Sequence, residues 1–285
     1  MYDNIMIKQI LQGMSVHPHR LRGQNFLIND SVVEQIIAAT RLSPEDYVIE
    51  IGPGLGVLSQ KLAEIGAPCL LLEIEDAFAA RLQDLFTFEP HVKLLCLDAL
   101  DFDFSAYCAE EGISAYHLVA NLPYNITSPM MKKLLLHGGP WERATLMLQK
   151  EAAQRICAGS GRENGPLTLL TQYCAEAELL FDVPPEAFYP QPSVRSAVIQ
   201  LRRREEPPVD AAPDALLHLI DAAFSQRRKQ LVNTLTAFYQ RSDGRRFSRA
   251  DLLPLIEACG LKPGIRAEEM DLFAFAALLQ KLEKK

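Results

Sequence analysis

Hydrophobic residues in the first 150 positions fall into short runs that alternate with stretches of helical spacing. The runs are five or six residues long, the length of a buried strand, and occupy 47–51, 69–74, 92–97, 117–122 and 144–148. Helical spacing occupies 57–65, 76–86, 127–137 and 150–158. Because buried strands that alternate with helices form a parallel sheet covered on both faces, the pattern predicts a Rossmann-like α/β domain.

The pattern changes after residue 165. A helical stretch at 166–175 is followed by apolar runs at 178–183 and 196–201, with prolines but no full helix between them. Two strands joined in this way predict an antiparallel edge. They bring the expected sheet to seven strands, most of them parallel.

The last part of the chain, from residue 214 to 285, shows only helical periodicity. The charged segment 202–208 before it ends in two prolines and predicts a linker, so we expect a first domain over 1–205 and a small all-α domain over 206–285. The first 30 residues have no sustained period. We expect an irregular arm there that leads into a helix near residue 31.

Composition narrows the classes of protein. A chain of 285 residues with 48% apolar residues can bury one large and one small core. The longest apolar run, Leu272–Leu279, is far shorter than a membrane span, so we expect no membrane span and a cytoplasmic protein. Six cysteines without a C-x-x-C pair favour free thiols, and we expect no metal site.

The net charge and the local distribution of charge favour different partners. The net charge of −7 argues against a nucleic-acid partner, because phosphate binding depends on Lys and Arg. Basic residues nevertheless outnumber acidic residues ten to six between Arg202 and Arg249. Charge alone favours a solvated face as the interpretation of this basic cluster.

A glycine-rich turn follows the first predicted strand. Gly52, Gly54 and Gly56 lie between that strand and a helix, and Glu73 ends the next strand 21 positions after Gly52. Such a turn lets the backbone approach a ligand, and such an acid accepts from ribose hydroxyls, so the pair predicts an adenosine-containing cofactor. The alternative is a tight turn beside a surface acid.

The spacing G-P-G-L-G places the third glycine one position earlier than the dinucleotide fingerprint requires. A compact cofactor without a pyrophosphate therefore fits better than a nicotinamide. Asp98 follows the third strand, where a carboxylate can accept from the amine of the cofactor's adenine, although such a residue alone is more often a helix cap.

Asn121-Leu122-Pro123-Tyr124 ends the fourth strand. The N6 lone pair of adenine is delocalised into the ring, so this amine needs help to act as a nucleophile. The amide oxygen of Asn121, with a backbone carbonyl held outward by Pro123, can accept both N6 hydrogens, and Tyr124 offers a ring on which an extruded base stacks. Alignment with an activated sulfonium then suffices, without a metal or a strong base.

These motifs resemble those of the KsgA-type ribosomal RNA adenine dimethyltransferases, which are related to the macrolide-resistance rRNA methyltransferases. The resemblance covers nearly the whole chain, in six ordered segments: Gly23–Leu27, Ile49–Gly56, Asn121–Tyr124, Met147–Glu151, Phe188–Val198 and Ala223–Leu231. It implies a class I methyltransferase fold and S-adenosylmethionine as the cofactor. The implied targets are two adjacent adenines near the 3′ end of small-subunit (16S) rRNA, within an immature small ribosomal subunit.

The resemblance also implies roles for the cofactor residues. Asn25 and Leu27 would close over the methionine end of the cofactor, with Gly52 beneath it. Glu73 would bind the ribose, and Asp98 would bind the adenine.

On the substrate side, the resemblance implies that Asn121 bridges the cofactor and the target amine. Tyr124 and Phe188 would sandwich the flipped adenine between their rings. The expected RNA-binding residues are Arg20, Arg22, Arg227, Arg228 and Lys229. The family analogy implies a monomer.

The chain departs from the family pattern at three places. Arg22 stands where the family usually has Phe, and Glu75 stands where it usually has Asp. The segment Asn164–Leu167 replaces Tyr-Gly-Arg-Leu, which removes a basic and an aromatic side chain and puts one RNA contact in doubt.

Three other functions stay open from the sequence. They are adenine methylation of large-subunit rRNA, a role as an RNA-binding assembly factor with secondary methylation, and a nicotinamide-dependent oxidoreductase. The helical tail and Leu122, where the resistance enzymes usually carry Ile, count against the first of these.

Overall fold

The computed structural model describes residues 4–14, 25–158, 164–226, 228–240, 244 and 246–284. The strands are β1 Phe26–Leu27, β2 Val48–Ile51, β3 Cys69–Glu73, β4 Val92–Cys96, β5 Tyr116–Asn121, β6 Trp141–Gln149, β7 Ala175–Val183, β8 Phe188–Tyr189 and β9 Ser196–Arg203. The helices are α1 Asn4–Gly13, α2 Asp30–Thr40, α3 Val57–Ile65, α4 Asp76–Leu85, α5 Phe104–Glu111, α6 Thr127–His137, α7 Lys150–Ile156, α8 Pro166–Cys174, α9 Pro213–Phe224, α10 Leu231–Phe238, α11 Arg249–Ala258 and α12 Leu272–Glu283.

Contacts within the chain define two compact units. The first comprises 1–154 and 176–203, and the second comprises 155–175 and 204–285. The boundary at 203 and 204 lies close to the one expected at 205 and 206. The segment 155–175, which we expected in the first domain, belongs to the second unit because Leu169 of α8 packs in the core of that unit.

The first unit contains a seven-stranded sheet in the order β4-β3-β2-β5-β6-β9-β7. Strands β2 to β6 run parallel to one another, and β9 pairs with β6 in the antiparallel sense. The prediction of a mostly parallel seven-stranded sheet with an antiparallel edge is therefore confirmed. Every residue of β2 and β3 is buried, as expected of strands covered on both faces.

The order of the strands determines where a ligand binds. The chain runs outward from β2 through β3 to β4, and then returns to continue on the other side of β2 with β5 and β6. The connections on the two sides of this switch point diverge and leave a crevice at the carboxyl ends of β2 and β5. The glycine turn follows β2, and Asn121 is the last residue of β5.

The prediction of an irregular N-terminal arm is wrong for residues 4–13, which form helix α1. Ile7 and Leu11 are four residues apart on one face of this helix and are buried against Phe26, Leu55 and Phe78. The helix forms because this apolar face has a core to cover. Residues 15–24 lie outside the described residues.

The second unit consists of helices α8 to α12 in the described part of the chain, as the helical periodicity predicted. Its core is apolar and includes Leu219, Leu235, Ile256 and Phe275, each of which is almost fully buried. Among the described residues of both units, none of the helices is long and apolar enough to span a bilayer.

Candidate active site

A cavity of about 340 Å³ lies at the carboxyl edge of the sheet in the first unit. Its walls include ten residues that the sequence singled out: Asn25, Leu27, Gly52, Gly54, Glu73, Asp98, Asn121, Leu122, Pro123 and Tyr124. These residues come from five separate stretches of the chain, and the strand order brings them together. The volume is within the range of sites that bind small molecules.

The glycine turn uses its glycines for different purposes. All three have positive φ angles, of 66° at Gly52, 55° at Gly54 and 82° at Gly56, which favour glycine. A Cβ on Gly56 would lie 2.9 Å from the side chain of Leu82, so Gly56 allows close packing of helices. A Cβ on Gly52 would meet nothing within 4 Å, and Gly52 lines the cavity. The backbone at Gly52 is therefore open to a ligand.

Glu73 is held at the end of β3 by two backbone N–H groups. Gly54 N donates to Oε2 at 2.9 Å, and Glu75 N donates to Oε1 at 3.0 Å. Burial raises the pKa of the Glu73 carboxyl to about 7, and the backbone donors oppose that rise. The carboxylate keeps lone pairs that can accept from a diol, so its placement fits the ribose of S-adenosylmethionine.

Asp98 lies in the turn after β4 and lines the same cavity. Its Oδ1 accepts from Leu100 N at 2.8 Å, so this side chain braces its own turn and is not the cap of a helix. The cap of the next helix, α5, is Asp103.

Glu50 is a buried acid that the sequence reasoning left without a role. It is 2% exposed, lines the cavity, and accepts a hydrogen bond of 2.6 Å from the hydroxyl of Ser59. Burial raises the pKa of Glu50 to about 8. The available signal was a charged residue inside the apolar run 47–51, where burial of both faces leaves no room for a solvated acid.

The side chain of Asn121 is hydrogen-bonded to the segment before α2. Its Nδ2 donates to the backbone oxygen of Asn25 at 3.1 Å. Since a carbonyl oxygen can only accept, the amide nitrogen must face Asn25, and Oδ1 must lie on the other side of the amide. The structure thus sets the polarity of the Asn121 side chain.

Tyr124 lines the cavity and is half-buried, with its hydroxyl 2.8 Å from the hydroxyl of Ser196. Burial raises the pKa of Tyr124 above its usual value, which keeps the phenol neutral. Ser196 is fully buried at the start of β9. Local sequence carries no signal for this contact, because Ser196 and Tyr124 are 72 positions apart.

Phe188 does not line this cavity. It is 2% exposed, pairs with Leu27 in the two-stranded ladder of β1 and β8, and belongs to the core of the first unit. Phe188 is therefore absent from the residues that line the cavity, and the predicted sandwich of an adenine between Tyr124 and Phe188 stays a prediction.

The predicted RNA-binding residues are only partly described. Arg228 and Lys229 are exposed in the second unit, whereas Arg20, Arg22 and Arg227 lie outside the described residues. At one of the departures from the family pattern, Asn164 is buried and its Nδ2 donates to the backbone oxygen of Met270 at 2.8 Å. This asparagine serves the packing of the second unit.

The sheet order is that of the Rossmann-like class I methyltransferase fold. The crystal structure of the 23S rRNA methyltransferase ErmE matches with a TM-score of 0.68 and 24% identity, over 91% of this chain and 100% of that chain. A dimethyladenosine transferase from Plasmodium falciparum matches with a TM-score of 0.72 and 23% identity, over 91% of this chain and 98% of that chain. At these identities the two structures support the fold.

The sequence then identifies the family. A model of the ribosomal RNA adenine dimethylase family matches residues 17–255, and the chain belongs to that family. Similar proteins include the ribosomal RNA small subunit methyltransferase A of Hydrogenovibrio crunogenus, which is 39% identical over 93% of this chain and 97% of the relative. The protein of that name from Geobacillus kaustophilus is 36% identical over 95% of this chain and 93% of the relative.

The family assignment confirms the resemblance drawn from the motifs. The protein is an rRNA adenine dimethyltransferase, and its methyl donor is S-adenosylmethionine. The expectation of an adenosine-containing cofactor without a pyrophosphate is thereby confirmed, and the nicotinamide-dependent alternative is excluded.

Proposed function

We propose that this enzyme dimethylates the N6 amines of two adjacent adenosines near the 3′ end of small-subunit rRNA, within an immature small ribosomal subunit. The names of its relatives support the small subunit as the source of the RNA. The orientation of the Asn121 amide carries the proposal for the chemistry, because it leaves an acceptor available to an exocyclic amine.

The proposed acceptors are two oxygens at the end of β5. With its nitrogen committed to Asn25, Asn121 presents Oδ1 as an acceptor for one N6 hydrogen. The backbone oxygen of Pro123 already accepts from Ile126 N at 3.1 Å, so the carbonyl of Leu122, held by the proline that follows it, is the candidate second acceptor. Two acceptors would draw the N6 lone pair out of conjugation and aim it at the donor carbon.

The proposed cofactor-binding residues line the same cavity as the proposed N6 acceptors. Glu73 would accept from the ribose hydroxyls, Asp98 would accept from the cofactor's adenine amine, and Gly52 would let the methionine end approach the backbone. Asn25 and Leu27 would close over that end. When bound, S-adenosylmethionine supplies a methyl group activated by its sulfonium.

Tyr124 would stack on the extruded adenine, because its ring lines the cavity three positions after Asn121. Phe188, which is buried beside Leu27, would supply the second face.

The proposed RNA-binding residues are basic and belong to both predicted domains, 1–205 and 206–285. Exposure of Arg228 and Lys229 supports this role. Arg20, Arg22 and Arg227 are proposed from the resemblance alone. We also propose that the enzyme is cytoplasmic and monomeric.

The test is to incubate the protein with labelled S-adenosylmethionine and immature small subunits, digest the RNA and identify the modified nucleoside. The expected result is label in dimethyladenosine from the small-subunit 3′ region. Label that appears only in large-subunit RNA would contradict the proposed target. Normal subunit maturation by an inactive Asn121→Ala variant would favour the role of an assembly factor.

A further inference from the structure

The hydroxyl groups of Tyr124 and Ser196 lie 2.8 Å apart, within hydrogen-bonding distance. We propose that Ser196 is a positioning residue for methyl transfer, because its hydroxyl anchors the Tyr124 hydroxyl and so fixes the place at which the Tyr124 ring meets the target adenine. This inference rests on the proposed function, in which Tyr124 stacks on the base.

Ser196 has the rigidity that a positioning residue needs. It is fully buried, and it pairs with Gln149 at the end of the ladder between β6 and β9. Beyond that pair, Lys150 N donates to the backbone oxygen of Arg195 at 2.9 Å. The backbone is therefore held at Ser196 and at the residue before it.

The direction of β9 explains why a residue so far along the chain reaches the site. Since β9 runs antiparallel to β6, its first residue lies at the same edge of the sheet as the last residues of β5 and β6. A parallel strand would place its first residue at the opposite edge. Tyr124 follows β5 and reaches across the end of β6, which lies between β5 and β9 in the sheet.

Tyr124 needs such a partner because its own backbone does not fix its ring. Asn121, three residues earlier, is the last residue of β5 to pair with β6. The hydroxyl oxygen of a tyrosine lies on the axis from Cβ through the ring, so a partner for that oxygen fixes the direction in which the ring extends, which is set by χ1. A half-buried ring at a cavity wall has one open side. The hydrogen bond between the hydroxyls of Ser196 and Tyr124 holds the far end of the ring on its buried side.

A double-mutant cycle tests the proposal. The variants are Ser196→Ala, Tyr124→Phe and the combination of the two, and methyl transfer to immature small subunits is measured as kcat and KM. Each single variant removes the same hydrogen bond and keeps the Tyr124 ring or its phenyl equivalent. We expect each to lower kcat/KM by about five- to tenfold, the size of effect expected for the loss of one positioning hydrogen bond.

The double variant decides between a positioning role and a structural role. If Ser196 acts through the Tyr124 hydroxyl, the double variant loses no more activity than either single variant. Losses that multiply in the double variant, or a Ser196→Ala enzyme as active as the wild type, would overturn the proposal. Absence of dimethyladenosine with the wild-type enzyme would instead refute the proposed function.

Two controls separate this role from general stability. Thr40→Val removes a buried, hydrogen-bonded hydroxyl from the first unit without touching the cavity, and we expect wild-type activity from it. The affinity of Ser196→Ala for S-adenosylmethionine, measured by calorimetry, should equal that of the wild type. A loss of cofactor affinity that matches the loss of activity would show a general disturbance of the site and would also overturn the proposal.

Discussion

The two edges of the central sheet both bury ionisable side chains, yet they differ in what surrounds those groups. At the carboxyl edge, Glu50 and Glu73 line a cavity and accept hydrogen bonds from Ser59 and from backbone N–H groups. At the amino edge, Nε2 of the buried His117 lies 3.8 Å from carboxylate oxygens of Asp46 and Glu142. None of these three amino-edge residues lines the cavity.

The comparison shows that a shifted pKa alone does not identify a site. Burial lowers the pKa of His117 just as burial raises the pKa values of Glu50 and Glu73. At the carboxyl edge the shifted acids line an open volume and backbone donors meet Glu73 there, whereas His117 and its two carboxylate neighbours lie away from that cavity. The carboxyl edge is therefore expected to control catalysis, and the amino edge only stability.

The largest effect should come from Asn121. Replacement of Asn121 by Ala removes the proposed N6 acceptor and should lower kcat by about 100- to 1,000-fold, comparable to the loss of one donor from an oxyanion hole. The change is measured as the rate of dimethyladenosine formation. Asn121→Asp is the matched variant. It keeps the shape but cannot donate to the oxygen of Asn25, so it should lose a similar amount, and a fully active Asn121→Asp enzyme would contradict the assigned amide polarity.

The next effect concerns cofactor affinity. Glu73→Gln replaces an anionic acceptor by a neutral amide and should weaken binding of S-adenosylmethionine by about 10- to 100-fold, the effect of hydrogen bonds to a charged group. Calorimetric titration measures the change. Glu75→Gln, two positions later and outside the cavity wall, should bind within about twofold of the wild type. Equal losses in both variants would show that net charge, and not the ribose contact, determines the affinity.

A smaller effect is a pH dependence of cofactor binding. The pKa of Glu73 is raised to about 7 in the fold, so the carboxyl is largely protonated at pH 6 and must release a proton to accept from both ribose hydroxyls. Affinity should therefore rise with pH, by at most about tenfold per unit, and level off above pH 7. Titrations between pH 5.5 and 8 test this, and Glu73→Gln should remove the slope. A slope that persists in that variant would belong to another group, with Glu50 the first candidate.

The same shift affects stability with a definite sign. Because the folded-state pKa of Glu73 lies above its ordinary value of 4.5, the folded chain holds a proton that the unfolded chain releases between pH 4.5 and about 7. The contribution of Glu73 to the free energy of unfolding thus falls as the pH rises through that range.

The smallest effect on activity is expected at the amino edge. The pKa of His117 is lowered below its ordinary value of 6.5 by burial, so its contribution to stability is complete above pH 6.5 and is lost as the pH falls. His117→Gln should leave kcat unchanged within about twofold. It should also make the free energy of unfolding fall less steeply as the pH is lowered below 6.5. Denaturant titrations at several pH values measure this. A large loss of kcat would remove the distinction between the two edges.

The elements that the sequence predicted well are those with a strong local signal. The five parallel strands are short and wholly or partly apolar, and the glycine turn has a spacing that few other structures require. The cavity residues at strand ends followed from the rule that parallel strands end at one edge. Sequence order alone was enough to place Glu73, Asp98 and Asn121 on one wall.

What the sequence did not predict depends on distant partners. Helix α1 was missed because an amphipathic stretch of ten residues is marginal until a core covers it, and that core includes Phe26 and Phe78. Ser196 contacts a residue 72 positions earlier, and Phe188 was expected in the site although it pairs with Leu27. These contacts depend on the pairing of strands, which local spacing does not encode.

The hydrogen bond from the Asn121 side chain to the carbonyl of Asn25 affects which nucleobases the enzyme rejects. Under the proposed function, the wall that meets the six-position of the purine carries lone pairs and no hydrogens. Guanine and hypoxanthine bear an oxygen at that position, so the lone pairs of O6 would face the lone pairs of the two proposed acceptors. Discrimination against these bases would come from repulsion rather than from a missing attraction, and an inosine in place of the target should bind poorly even when its neighbours are paired correctly.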